Sequence, residues 1–133
     1  AARFARETGI DAMAISVGNV HLQLDRTGGL DEARIAEIEA VTDLPLVIHG
    51  GSGVPEEQRR RLAHTTAICK FNIGTELRMA FGSALRDAIG ADPDRFDRVQ
   101  ILKEVEPPLV DAARSVLRAL KPGAGREGGS GTA

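Results

Sequence analysis

Three short apolar runs, each ending at a polar or glycine-rich turn that opens a helix, constrain this chain more than any other feature. The middle run is the most telling. Leu46-Val47-Ile48 leads into His49, then Gly50-Gly51-Ser52-Gly53, then Pro55. A strand that ends on an imidazole and passes through bare backbone amides to a helix start is a layout for holding an anion beside a cation. The pattern echoes on both sides, in Ala14-Ile15-Ser16-Val17-Gly18-Asn19-Val20-His21 and in Ile68-Cys69-Lys70-Phe71-Asn72-Ile73-Gly74-Thr75.

Spacing predicts strands over 12–17, 46–48 and 67–72, the first apolar on both faces as in a buried parallel sheet. Helices are predicted over 1–8, 31–41, 56–63, 74–89 and 107–120. Gly9 reads as a helix stop, Asp31 as an N-cap or first-turn acid, and Pro55 as a first-turn residue. Ile35, Ile38 and Val41 mark the inner face of the second helix; Leu77, Phe81, Ala84, Leu85 and Ala88 mark that of the fourth.

Repeated β-then-α units predict a parallel sheet with right-handed crossovers. Three strands do not close a barrel, and an open sheet would expose its edges. The fold class is therefore read as α/β, the C-terminal part of a (β/α)8 TIM barrel, incomplete in this chain; a flavodoxin-like open sheet is the second choice. Residues 1–8 read as the back half of a helix with no methionine and no cap, so the chain is expected to begin inside a larger protein. The barrel portion is expected over 1–120, and a tail rich in glycine and small residues, 121–133, is expected to be disordered. In a barrel the chemistry sits at the C-terminal ends of the strands, where all three unusual loops fall.

Composition excludes several function classes. The net charge is −2, and there is no tryptophan or tyrosine, so neither a phosphate-neutralising patch nor a base-stacking platform is expected. No apolar run approaches the roughly 18 residues of a membrane span, and no signal peptide opens the chain. The single cysteine, Cys69, fits a reducing compartment, and a cytoplasmic location is expected.

His21 and His49 each lie just past a strand, one β/α unit apart, so adjacent strands would set both imidazoles on one rim. They read either as metal ligands or as loop histidines bonded to backbone; a catalytic zinc takes three protein ligands. His64 ends the short helix, where a cation favours the dipole. Gly50, Gly51, Ser52 and Gly53 read either as an anion loop or as an ordinary βα turn. Asn72 ends a strand and offers an amide to a substrate oxygen. Gly74 and Thr75 open a helix with outward N–H groups, the alternative being an ordinary N-cap followed by Glu76. Cys69 reads as a small core residue, Lys70 as a strand residue opposite it, and the charges over 56–61 as a solvated helix face.

Together the segments Ala14-Ile15-Ser16-Val17-Gly18-Asn19-Val20-His21, Pro45-Leu46-Val47-Ile48-His49-Gly50-Gly51-Ser52-Gly53-Val54-Pro55 and Lys70-Phe71-Asn72-Ile73-Gly74-Thr75-Glu76-Leu77-Arg78 resemble the C-terminal half of the class II, metal-dependent ketose-bisphosphate aldolases. The resemblance implies a zinc-dependent lyase on a β/α barrel. It would reversibly cleave a fructose- or tagatose-type ketose 1,6-bisphosphate into dihydroxyacetone phosphate and glyceraldehyde 3-phosphate. By the same resemblance His21 and His49 are two of three zinc ligands, and Asn72 hydrogen-bonds the enediolate. Gly50, Ser52, Gly74 and Thr75 bind phosphate. Backbone carbonyls near Val20, Leu22 and Gly50 hold a monovalent cation, Na+ or K+. The implied partners are a phosphorylated sugar and copies of the same chain in a homodimer or homotetramer, with no nucleic acid and no membrane.

The sequence departs from the family pattern in three ways. The third zinc ligand, the neighbouring aspartate and the proton-shuttling carboxylate lie on segments this chain lacks, so the chain alone is expected to be inactive. Leu22 stands where glycine is usual. Gly74 replaces the aspartate of many fructose-specific members and resembles the tagatose-type branch. Two other readings are a non-catalytic barrel subunit that stabilises a tagatose-type aldolase, and a metal-free phosphate-binding barrel such as an isomerase.

Overall fold

Parallel pairing joins three strands in chain order. The computed structural model describes residues 1–18 and 29–121. The order is α1 (Ala2–Thr8), β1 (Met13–Ile15), α2 (Glu32–Glu39), β2 (Leu46–Ile48), a single 3-10 turn (Gly51–Gly53), α3 (Glu56–Thr65), β3 (Ile68–Phe71), α4 (Thr75–Ala91) and α5 (Arg98–Leu120). The sheet runs β1-β2-β3, and each neighbouring pair is parallel. It is not closed among the described residues. The predicted tail 121–133 lies, apart from Lys121, outside the described residues, as do 19–28 with His21 and Leu22.

Alternation along the strands decides where the core sits. Met13, Ile15, Leu46, Ile48 and Ile68 are buried and meet Val17, Leu30, Ile35, Val54 and Leu62 in one cluster. Burying such side chains contributes about 1.5–3 kcal/mol each. The opposite face is open, with Ala14, Cys69 and Lys70 exposed and Val47 half-buried. Within the described residues helices cover one face of the sheet, and the other is the side that a closed β/α barrel turns to its interior. Cys69, expected in the core, is exposed for the same reason.

The helix signals largely hold. Gly9 ends α1 in the left-handed region at φ 62°, where glycine carries no Cβ penalty. Asp31 caps α2, its side chain accepting from the Arg34 N–H. That helix ends at Glu39, however, which leaves Val41 54% exposed instead of on the inner face. Of the predicted α4 stripe, Ala84 and Ala88 are buried against Val105, with Leu85 and Ile101 packed alongside, whereas Phe81 is exposed.

The last helix needs the largest correction. It starts at Arg98, not 107, and carries Pro107 and Pro108 inside it. Two prolines in succession remove two backbone donors, which is why the sequence reads as a helix start there. Tertiary packing overrides that signal. Asp97 caps the true start, accepting from the Val99 N–H at 2.8 Å, and Ile101 and Val105 lie against α4.

A polar tie joins α2 to α3. Gln58 accepts from the Leu30 N–H at 2.8 Å and donates to the Leu30 carbonyl at 3.1 Å and to Glu32 at 2.8 Å; Arg61 also pairs with Glu32. The Gln58 hydrogen bond holds the Glu32 carboxyl below its ordinary range; desolvation opposes it, and the Arg61 hydrogen bond and charge add to the lowering. A depressed folded-state pKa stabilises above the unfolded value, and the contribution is lost as pH falls through the folded one. Acidification from neutral to below about 4 should therefore lower the melting temperature of the native chain more than that of Glu32→Gln, read by circular dichroism. Ile35→Ala, at a position 1% exposed, should cost about 3 kcal/mol in urea unfolding.

Candidate active site

The chemistry-bearing residues gather where β2 and β3 end. One extra residue on β3 brings them together. Leu46 pairs with Ile68, but Val47 pairs with Lys70 and Ile48 with Phe71. Cys69 is thus the surplus residue of a bulge, and its thiol lies 3.4 Å from the Leu46 carbonyl, to which it donates. Continuing the shifted register sets Asn72 beside His49. The Asn72 amide nitrogen lies 3.0 Å from His49 Nδ1. Backbone bonds fix Asn72 from both sides: its N–H donates to the Ile48 carbonyl at 2.9 Å, and its own carbonyl accepts from the Gly51 N–H at 3.0 Å.

The glycine loop packs tightly against this junction. Gly50 is left-handed at φ 63°. A Cβ on Gly51 would lie 3.2 Å from the Asn72 carbonyl oxygen and 3.2 Å from Phe71 Cβ, so a side chain there would push the two strand ends apart. The expectation of a loop of bare amides is corrected. Gly51 donates to Asn72, Gly53 to the Gly50 carbonyl and Val54 to the Gly51 carbonyl. A sharp 3-10 turn closes its own hydrogen bonds.

Ser52 links the loop to the next helix. Its hydroxyl accepts from the Gly74 N–H and the Glu76 N–H, each at 3.2 Å. Gly74, the N-cap of α4, provides no side-chain cap of its own, so Ser52 caps the helix from another loop. The Gly74 N–H, expected to point outward unpaired, is therefore engaged. A hydroxyl accepts twice and donates once, so the Ser52 proton is what remains to reach an anion. Thr75 forms the first residue of α4, where the dipole favours negative charge. Arg78, one turn on, holds its guanidinium over Gly74: a Cβ built there would lie 2.9 Å from Nη2.

The structure thus brings His49, Gly50, Ser52, Asn72, Gly74 and Thr75 to one sheet end. His21 lies outside the described residues. His64 sits in the last turn of α3, as the dipole argument predicts. Among the described residues no group of three histidines, cysteines or acids is placed to hold a metal. His49 nonetheless fits one corner of such a site. It is exposed at a strand end, next to Asn72.

Sequence reasoning missed Arg59. It falls within the charged run read as a solvated helix face, yet it is 1% exposed. Its Nη1 donates to the Gly51 carbonyl at 3.3 Å and to Glu76 at 3.0 Å. The signal was its spacing of three from buried Leu62, which puts both on the inward stripe of α3.

Ser52→Ala would leave two amides at the α4 start without their acceptor. It should cost about 1–3 kcal/mol in chemical denaturation, with faster hydrogen exchange at Gly74 and Glu76.

Comparison with known proteins agrees with this architecture. The crystal structure of the YdjI aldolase from Escherichia coli K12 superposes with a TM-score of 0.68 at 25% identity, covering 90% of this chain and 42% of that one. The chain thus spans less than half the length of that enzyme. A family model described as class II fructose-bisphosphate aldolase matches residues 1–123. With three parallel strands, their helices and strand-end loops forming part of an aldolase TIM-barrel-like fold, the chain belongs to the class II fructose-bisphosphate aldolase family.

Proposed function

We propose that these residues form the C-terminal part of a zinc-dependent lyase that reversibly cleaves a ketose 1,6-bisphosphate, of fructose or tagatose type, to dihydroxyacetone phosphate and glyceraldehyde 3-phosphate. The observation that carries the reading is the 3.0 Å contact of Asn72 with His49 next to the Ser52-capped start of α4. Family membership supports the aldolase class.

In this reading His49 and His21 hold the zinc with a third ligand from outside these 133 residues. The metal supplies Lewis-acid polarisation of the substrate carbonyl. Asn72 has two amide hydrogens, and one of them would donate to the oxygen that gains charge as the carbon–carbon bond breaks. Its backbone anchors on both sides keep that donor preorganised. Gly50, Ser52, Gly74 and Thr75 receive the phosphate, the Ser52 proton and the α4 dipole acting together. A monovalent cation, Na+ or K+, would sit near the Gly50 carbonyl. That carbonyl already accepts from the Gly53 N–H and keeps a second lone pair.

Gly74 leaves its place to the Arg78 guanidinium, which favours a tagatose-type preference over a site carrying aspartate there. The protein acts in the cytoplasm as a homodimer or homotetramer, on a phosphorylated sugar and not on nucleic acid or membrane. Among the described residues no helix is long and apolar enough to cross a membrane.

The test is an assay of the full-length protein carrying this segment, with fructose and tagatose 1,6-bisphosphates. Chelation should abolish cleavage and zinc restore it; turnover that ignores the chelator overturns the zinc assignment. Asn72→Ala should lower kcat about 100-fold with little change in KM. An intact protein without turnover would instead fit the stabilising-subunit reading.

A further inference from the structure

Arg59 is the largest of the fully buried side chains, on a helix whose other arginines lie at the surface or half-buried. Leucine or methionine would fill that volume without a charge. The arginine even keeps its Nε buried with no hydrogen-bond partner among the described residues, a cost a purely packing residue would avoid. What it gains is reach. One nitrogen, Nη1, bridges the Gly51 carbonyl in the 3-10 turn and the Glu76 carboxylate in the first turn of α4. Those two elements are already linked by Ser52. The guanidinium ties them a second time, from beneath.

The charge matters as much as the tie. Glu76 is 22% exposed at its side chain and stands at the helix end proposed to receive a phosphate. An acid there suits the α4 dipole, but it repels an incoming anion. Arg59 opposes that charge from the buried side, where weaker screening makes it most effective.

We propose that Arg59 is a positioning residue for the anion cradle: it clamps the 3-10 turn to the start of α4 and cancels the Glu76 charge facing the ligand. The proposal rests on the phosphate reading of Gly50, Ser52, Gly74 and Thr75 and adds to it a residue that does not touch the substrate.

The experiment compares Arg59→Met, Arg59→Lys, Glu76→Gln and the Arg59→Met/Glu76→Gln double variant in the full chain. Inorganic phosphate is titrated calorimetrically at low ionic strength. Arg59→Met should weaken phosphate binding about tenfold, which corresponds to about 1.4 kcal/mol, and Arg59→Lys should recover most of it. Adding Glu76→Gln to Arg59→Met should recover about threefold, because the negative charge at the start of α4 is then removed as well. A purely structural role predicts no such gain. Native-like binding by Arg59→Met, or a double variant no better than Arg59→Met, overturns the proposal.

Hydrogen exchange separates the clamp from the ligand. The Gly74 and Glu76 amides should exchange about tenfold faster in Arg59→Met, with Leu46 and Ile48 unchanged; equal rates overturn the clamp. If phosphate fails to bind even the native chain, the anion reading and the charge-cancelling role both fall, and exchange alone decides the clamp. If Arg59→Met does not fold, Glu76→Gln carries the test. It should bind phosphate about threefold more tightly, and unchanged or weaker binding overturns the charge argument.

Discussion

The backbone crossing at Asn72 is the constraint from which the site follows. Its N–H reaches the Ile48 carbonyl and its carbonyl takes the Gly51 N–H, so the β2–β3 ladder continues past both strands and locks the glycine turn to the next strand end. Everything chemical is placed by that lock. His49 leaves the sheet on one side of it, the turn curls on the other, and α4 starts four residues after Phe71. The missing side chain at Gly51 is what makes the approach close enough, since a Cβ there would sit 3.2 Å from the Asn72 oxygen.

On this lock a second set of contacts is built from side chains. A single hydroxyl, Ser52 Oγ, serves two helix N–H groups, and a guanidinium from α3 reaches beneath the same turn. Parallel β/α architecture concentrates such contacts at one sheet end because every strand there hands over to a helix start. Those starts carry orphan donors, and the loops exist in part to satisfy them.

Much of this was legible in the residues. The apolar triplet before His49, the Gly50–Gly53 turn and the helix start after it gave the β/α alternation, and Gly9 and Asp31 marked helix ends by backbone and capping chemistry that act locally. What stayed hidden depended on distant partners. The beginning of α5 was masked by Pro107 and Pro108, whose local penalty loses to the packing of Ile101 and Val105 on α4. Arg59 was masked by its charged neighbours, because only the fold brings Glu76 within 3.0 Å. Cys69 was read as core because its strand is apolar, and it is instead the surplus residue of the β3 bulge on the uncovered face. The amides of Gly51 and Gly74 looked available in the sequence because their acceptors, Asn72 and Ser52, lie about twenty residues away.

The β3 bulge has a further meaning for what stands at this end of the sheet. Without the bulge Cys69 would pair with Val47 and Lys70 with Ile48, and the benzyl group of Phe71 would stand next to the imidazole where a carboxamide now stands. The oily content of the strand would hardly alter, and the sheet could still assemble. The bulge thus decides which side chain meets the imidazole while leaving the composition of the strand untouched.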